Sequence, residues 1–144
     1  MKYPRMFVFC AVCFVATATV GLAQRTLAPT MPNFSVLEAE QVAGQQIFKD
    51  HCASCHTLKP GAQTAFGPNL RGVVDRRAGS VQGFPYSDAL KNSGLTWTED
   101  NLRAWIADNA RMVPNTLMPH VSIADWAEQI YLIAYLKKLS SPQR

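Results

Sequence analysis

The sequence predicts a small all-α domain. Apolar residues recur at helical spacing in three segments, around residues 36–48, 102–106 and 123–134. Glycine and proline recur throughout residues 57–83, which indicates an ordered loop in that region. No convincing strand pattern is present, and 144 residues suffice for one domain with a short appendage.

Residues 1–23 have the pattern of an export signal. Lys2 and Arg5 precede an uncharged apolar run, and the small residues Gly21 and Ala23 suit a signal peptidase. We therefore expect cleavage near Ala23 and export to the periplasm. An uncleaved anchor is the alternative, because the 18-residue apolar run that begins at Met6 could just span a bilayer.

The remainder divides into a mobile lead-in at residues 24–34 and a folded domain at residues 35–144. Lys2 and Arg5 are two of 14 basic residues, so cleavage leaves 12 basic and 10 acidic residues, a formal charge of +2. The basic residues are scattered, which gives no indication of nucleic-acid binding. We expect a monomer.

The first two helices have recognisable ends. Ser35 and Glu38 form a capping-box pattern that opens a helix running into Cys52. A short helix at residues 87–92 is stopped by Gly94. The apolar positions at helical spacing in the first helix are Val36, Leu37, Val42, Ala43, Ile47 and Phe48.

Two further helices follow. Thr98 is the predicted cap of the third, and Ser122, with Asp125 three residues later, is the predicted cap of the last. Between them, "VPNTLMPH" is an extended loop. The predicted inner face of the third helix is Leu102, Trp105, Ile106 and Asn109. That of the last is Ile123, Trp126, Ile130, Ile133 and Ala134.

The chemistry is concentrated in "CASCH". Cys52 and Cys55 could be a redox thiol pair, half of a zinc site, a disulfide or a haem attachment site. A redox pair usually follows a strand, and a structural zinc site needs four ligands. His56 directly after Cys55 favours covalent attachment of haem c, with the imidazole as an iron ligand. The similarly spaced Cys10 and Cys13 belong to the leader.

A six-coordinate iron needs a second axial ligand, for which Met118 is the leading candidate. It lies in a loop, and Pro119 after it disfavours a helical conformation. A thioether opposite histidine stabilises ferrous iron. His120 is the main alternative, and Met112 is less favoured because it lies at the end of a helix.

Several longer motifs resemble the class I cytochromes c of the mitochondrial and cytochrome c2 type. "GQQIF", "GPNLRGV", "GFPYSDALKNSGLTW", "PNTLMP" and "LIAYLKKL" all have counterparts there. The resemblance extends from about Val42 to Leu139. It implies a class I cytochrome c fold, in which three to five helices and long ordered loops surround one covalently bound haem.

The resemblance also implies roles for individual residues. The carbonyl of Pro68 would accept a hydrogen bond from the ring of His56, and Thr116 would supply a hydroxyl on the methionine side. Donors to the haem propionates would be Arg76, Tyr86 and Trp97. Gly44 and Phe48 would meet Tyr135 where the first and last helices cross.

This chain departs from the mitochondrial pattern near the methionine. Leu90 and Trp105 replace an asparagine and a tyrosine and so remove polar groups, and His120 replaces an aromatic residue. Asn115 replaces a glycine, and asparagine tolerates a left-handed backbone. Most of the lysines that surround the exposed haem edge in the mitochondrial protein are missing here. Such positions are occupied by His51, Ala110, Leu117, Ala124 and Asp125.

The implied function is single-electron transport by a periplasmic carrier that is not an enzyme. The alternatives are a membrane-anchored cytochrome or respiratory-complex subunit, and a haem enzyme or sensor with a labile sixth ligand. A dehydrogenase, a bc1-type complex, an oxidase and a photosynthetic reaction centre are all compatible partners. Weak charge around the haem edge predicts weak electrostatic steering toward any of them.

Overall fold

A computed structural model describes residues 35–140, and the predicted leader and lead-in lie outside this part. Five helices are present there: α1 (Val36–His51), α2 (Asp88–Lys91), α3 (Glu99–Ala107), α4 (Asn109–Met112) and α5 (Trp126–Ser140). Extended pairing within residues 35–140 is limited to one isolated bridge between Arg77 and Thr96. The predicted all-α class is confirmed.

Polar caps start α1 and α3 as predicted. The hydroxyl of Ser35 accepts from the backbone N–H of Glu38 at 3.2 Å, and the Glu38 carboxylate accepts from the N–H of Ser35 at 2.9 Å. The capping box is therefore complete. Thr98 caps α3 by accepting from the N–H of Asn101. Ser87 caps α2 in the same way.

The predicted start of α5 is wrong, and its predicted inner face is right only in part, since Ile123 and Ile133 are buried. Asp125, not Ser122, caps the helix, since its carboxylate accepts from the N–H groups of Ala127 and Glu128 at 2.7 and 3.0 Å. Trp126 is 61% exposed, and Ile130 is exposed as well. The buried residues of α5 are Gln129, Leu132, Ile133 and Leu136.

The third predicted helix is interrupted. Asp108 has an extended φ of −164° that ends α3, and its carboxylate then accepts from the N–H of Arg111 at 3.0 Å and caps α4. Asn109 consequently belongs to α4 and does not continue the face of Leu102 and Trp105. An aspartate that can cap a new turn explains the break.

α1 and α5 cross closely at Gly44. A Cβ at this position would lie 2.1 Å from the carbonyl oxygen of Tyr131 and 2.7 Å from Cβ of Tyr135. One turn later Phe48 packs on Tyr135 with ring centroids 6.2 Å apart. The predicted crossing is confirmed, but Val36, Leu37 and Val42 of the predicted α1 face are exposed.

The long loop after α1 is held by side-chain hydrogen bonds to the backbone. The amide of Asn69 donates to the carbonyls of Lys59 and Ala62 at 2.8 and 2.7 Å. Its oxygen accepts from the N–H of Arg71 at 2.8 Å. These contacts order the loop without a helix or strand.

Among residues 35–140, no helix has both the length and the apolar character required to cross a membrane.

Candidate haem site

A cavity of about 420 Å³ lies among the helices and the long loop, and its walls are mainly apolar. This volume is in the range of sites that bind a cofactor. All nine predicted site residues line it: Cys52, Cys55, His56, Pro68, Arg76, Tyr86, Trp97, Thr116 and Met118. Leu90 and Trp105, the two apolar departures, are buried in its wall.

The two cysteines enter the cavity from the turn that ends α1. The N–H groups of Cys55 and His56 donate to the carbonyl of Cys52 at 3.1 and 2.9 Å, which folds the motif back on the helix end. The thiols are not joined. Burial, with a smaller contribution from Cys55, raises the pKa of the Cys52 thiol to about 11. A thiol protonated at neutral pH is unlike a redox-active thiolate.

The zinc alternative finds no support in the described residues. Across residues 35–140, no three His, Cys, Asp or Glu side chains come together as a metal-binding group. A structural zinc site would need four such ligands. The cysteine pair therefore fits attachment of an organic group better than a zinc site.

His56 is oriented by the loop that faces it. Its Nδ1 lies 2.8 Å from the carbonyl oxygen of Pro68. Because a carbonyl can only accept, Nδ1 carries the proton and Nε2 presents its lone pair. Burial lowers the pKa of His56, and the positive charge of Arg76 lowers it further, while the Pro68 carbonyl opposes both. The ring is thus favoured in the neutral form that binds metals.

Two neighbours that sequence reasoning missed support this ring. A Cβ at Gly67 would lie 2.6 Å from Nδ1 and Cε1 of His56, so only glycine leaves the ring its space. The hydroxyl of Thr64 contacts the carbonyls of Cys55 and Gly67 and accepts from the N–H of Gly67. Gly67 belongs to a motif that could have identified it, whereas nothing in the sequence distinguishes Thr64.

Arg76 gives the cavity a positive charge. Its guanidinium donates to the carbonyls of Arg71 and Asn69 at 3.2 and 3.0 Å, and burial lowers its pKa. No carboxylate of the described residues forms an ion pair with it. A half-buried cation whose partners here are neutral suits an anionic group in the cavity. Burial also raises the pKa of the nearby Tyr86, so its phenol keeps its proton as a donor.

The methionine segment reaches the cavity from the other half of the chain. Asn115 has the expected left-handed backbone, with a φ of +65°. The N–H of Met118 lies 3.4 Å from the hydroxyl of Thr116. Neither His120 nor Met112, the competing candidates, lines the cavity. His120 is exposed instead, with Nδ1 3.7 Å from a carboxylate oxygen of Asp108.

The donor set fits a large flat group that is covalently attached. Two thiols beside an imidazole can hold it, apolar walls can cover its faces, and Arg76 can neutralise acidic substituents. Met118 also lines this cavity, and its thioether sulfur can bind a metal. These features define a class: small helical proteins that enclose one redox cofactor.

Comparison with known proteins identifies the family. The family model for cytochrome c matches residues 41–140. The chain belongs to the cytochrome c family, whose members are electron carriers, and its cofactor is one covalently attached haem c.

Individual relatives agree with this assignment. Cytochrome c2 of Blastochloris viridis is 41% identical over 102 residues, which cover 71% of this chain and 80% of that protein. Cytochrome c2 of Rhodoblastus acidophilus is 42% identical over 99 residues, covering 69% and 92%. The structure of cytochrome cH from Methylobacterium extorquens has a TM-score of 0.63 and 40% identity, covering 68% of this chain and 97% of that one. The class I cytochrome c fold follows.

Proposed function

We propose that this protein is a soluble periplasmic monohaem cytochrome that carries single electrons between redox proteins, with His56 and Met118 as the axial iron ligands. The observation that carries the proposal is which of the candidate iron ligands line the cavity. His56 and Met118 both line it, and the rival ligands Met112 and His120 do not. The leader pattern of residues 1–23 supports the location.

Haem c, when bound, supplies an iron that gains and loses one electron. The protein's own residues set the conditions. The Pro68 carbonyl holds the tautomer of His56, and Arg76 balances negative charge. Buried side chains such as Leu90 and Trp105 exclude water, so little rearrangement accompanies a change of charge. If His56 and Met118 both bound the iron, no position would remain for a substrate, and an enzymatic role is not proposed.

The absorption spectrum of the ferric protein tests the ligand assignment. We expect a sulfur-to-iron charge-transfer band in the wild type and its loss in Met118→Ala. We also expect the reduction potential to fall by roughly 100 mV or more in that variant, because a ligand that favours ferrous iron has been removed. Met112→Ala and His120→Ala are the matched controls and should keep the band. A band that survives in Met118→Ala would refute the assignment.

The proposed partners are an electron donor and an acceptor, such as a dehydrogenase, a bc1-type complex, an oxidase or a reaction centre. We define the cavity rim as His51, Phe66 and Leu117, which line the cavity and are also exposed to solvent. Phe66 is 78% exposed and Leu117 is 75% exposed. Exposed apolar side chains at the entrance to a redox site favour a partner with a complementary apolar surface.

We expect the rate of electron transfer to a physiological partner to depend weakly on salt. Because no lysine lines the cavity among the described residues, the rate should change by less than about threefold over a tenfold range of ionic strength, measured by stopped flow. The double variant His51→Lys and Leu117→Lys serves as the comparison and should show a steep decline with salt when the partner is acidic. A steep decline in the wild type would contradict the proposal.

A further inference from the structure

Asn109 is a fully buried polar side chain, with 0% of its surface exposed. Its amide nitrogen donates to the carbonyls of Met118 and Pro119 at 3.0 and 3.1 Å. Its amide oxygen accepts from the N–H of Val121 at 3.2 Å. Both donors and the acceptor of one side chain are therefore used on a single short segment.

That segment has little other support from hydrogen bonds. Residues 118–121 form no helix, so their backbone groups lack regular partners. Within residues 35–140, the carbonyls of Met118 and Pro119 and the N–H of Val121 have Asn109 as their hydrogen-bonding partner. The Asn109 amide is fully buried and would be costly to leave without partners, so it favours the arrangement of the segment that supplies them.

The break between α3 and α4 places Asn109 where it can form hydrogen bonds with residues 118–121. The extended backbone of Asp108 ends one helix and starts the next, and Asn109 is the first residue after it. α3 also holds the chain two residues beyond the segment, because the N–H of Ile123 donates to the carbonyl of Ile106 at 2.9 Å. The segment is thus held against the α3–α4 unit.

We propose that Asn109 is a positioning residue that holds the thioether of Met118 at the iron and limits its replacement by external ligands. This inference rests on the proposed His56 and Met118 ligation. Asn109 does not line the cavity, so it acts through the backbone of the ligand segment. The backbone carbonyl of Met118 is fixed, and the side chain consequently has a restricted range of positions.

Imidazole binding to the ferric holoprotein provides the test. Asn109→Asp keeps the size of the side chain and an acceptor for Val121, but it removes both donors. We expect imidazole to bind Asn109→Asp about tenfold to a hundredfold more tightly than the wild type, because the bound-methionine state has lost two partly buried hydrogen bonds. Asn109→Ser, which keeps one hydroxyl donor, should give a smaller increase and serves if the aspartate variant does not fold.

Phe48→Leu is the matched control for a general loss of stability. Phe48 is buried between α1 and α5 and does not line the cavity. At equal free energy of unfolding, Phe48→Leu should leave imidazole affinity near the wild-type value. If imidazole affinity increased equally in Asn109→Asp and Phe48→Leu, Asn109 would contribute only to general stability, and the inference would be overturned.

The spectrum of the wild type separates this inference from the proposed function. A wild-type protein without the sulfur-to-iron band would overturn both. A wild type with the band, combined with unchanged imidazole affinity in Asn109→Asp and Asn109→Ser, would overturn the role of Asn109 alone. Tighter binding in these variants, with the band present in the wild type, would support it.

Discussion

Gly44→Ala is expected to lower the free energy of unfolding by about 3 kcal/mol or more. The added Cβ would lie 2.1 Å from the carbonyl oxygen of Tyr131, which is backbone and cannot rotate away. α1 and α5 would have to separate, and Phe48 would lose its packing against Tyr135. Denaturant unfolding of the holoprotein, followed by circular dichroism, measures the loss.

The control lies at the next residue of the same helix. Gln45 is exposed, so Gln45→Ala should change the free energy of unfolding by less than about 0.5 kcal/mol. Alanine favours a helix more than glycine does, so helix propensity alone would make Gly44→Ala stabilising. A neutral or stabilising result would therefore show that the helices do not cross at this glycine.

Gly67→Ala is expected to displace the imidazole of His56. Its Cβ would lie 2.6 Å from Nδ1, where the hydrogen bond to Pro68 is made. We expect about 1–3 kcal/mol less stability and at least tenfold faster exchange of the His56 ring proton with solvent. Proton NMR of the ferrous protein detects this exchange.

An exposed residue in the same loop gives the comparison. Gln63→Ala should leave the exchange rate of the His56 ring proton unchanged, because Gln63 is on the surface. If Gly67→Ala showed the same slow exchange as the wild type, the ring and the loop would not be in the contact described. Comparing the two variants distinguishes a clash with the His56 ring from an unspecific effect of substitution in the loop.

The starts of α1 and α3 were predictable from the sequence because capping is local. Ser35 and Glu38 form hydrogen bonds with each other within one turn, and Thr98 accepts from the N–H three residues later. The buried faces were less predictable. α1 and α5 carry more apolar residues than they bury, and the face turned inward depends on the partner helix, which spacing within one helix does not reveal.

The candidate site shows the same division. Cys52, Cys55 and His56 form a contiguous motif, so their chemistry could be inferred directly. Asn109 was assigned to an apolar helix face because its partners, near Met118, are distant in sequence. Nothing in the sequence indicated that Thr64 contacts the backbone beside His56. Polar residues that bind remote backbone groups follow no spacing, and only the fold reveals them.

The pairing of α1 with α5 also bears on the order of events during folding. Phe48 and Tyr135 stand near opposite ends of the described chain, so their contact closes a very long loop. Contacts of this kind raise the contact order of the fold. A growing chain therefore cannot complete its core until the final helix has been synthesised. Until α5 pairs with α1, Phe48 lacks its aromatic packing partner Tyr135.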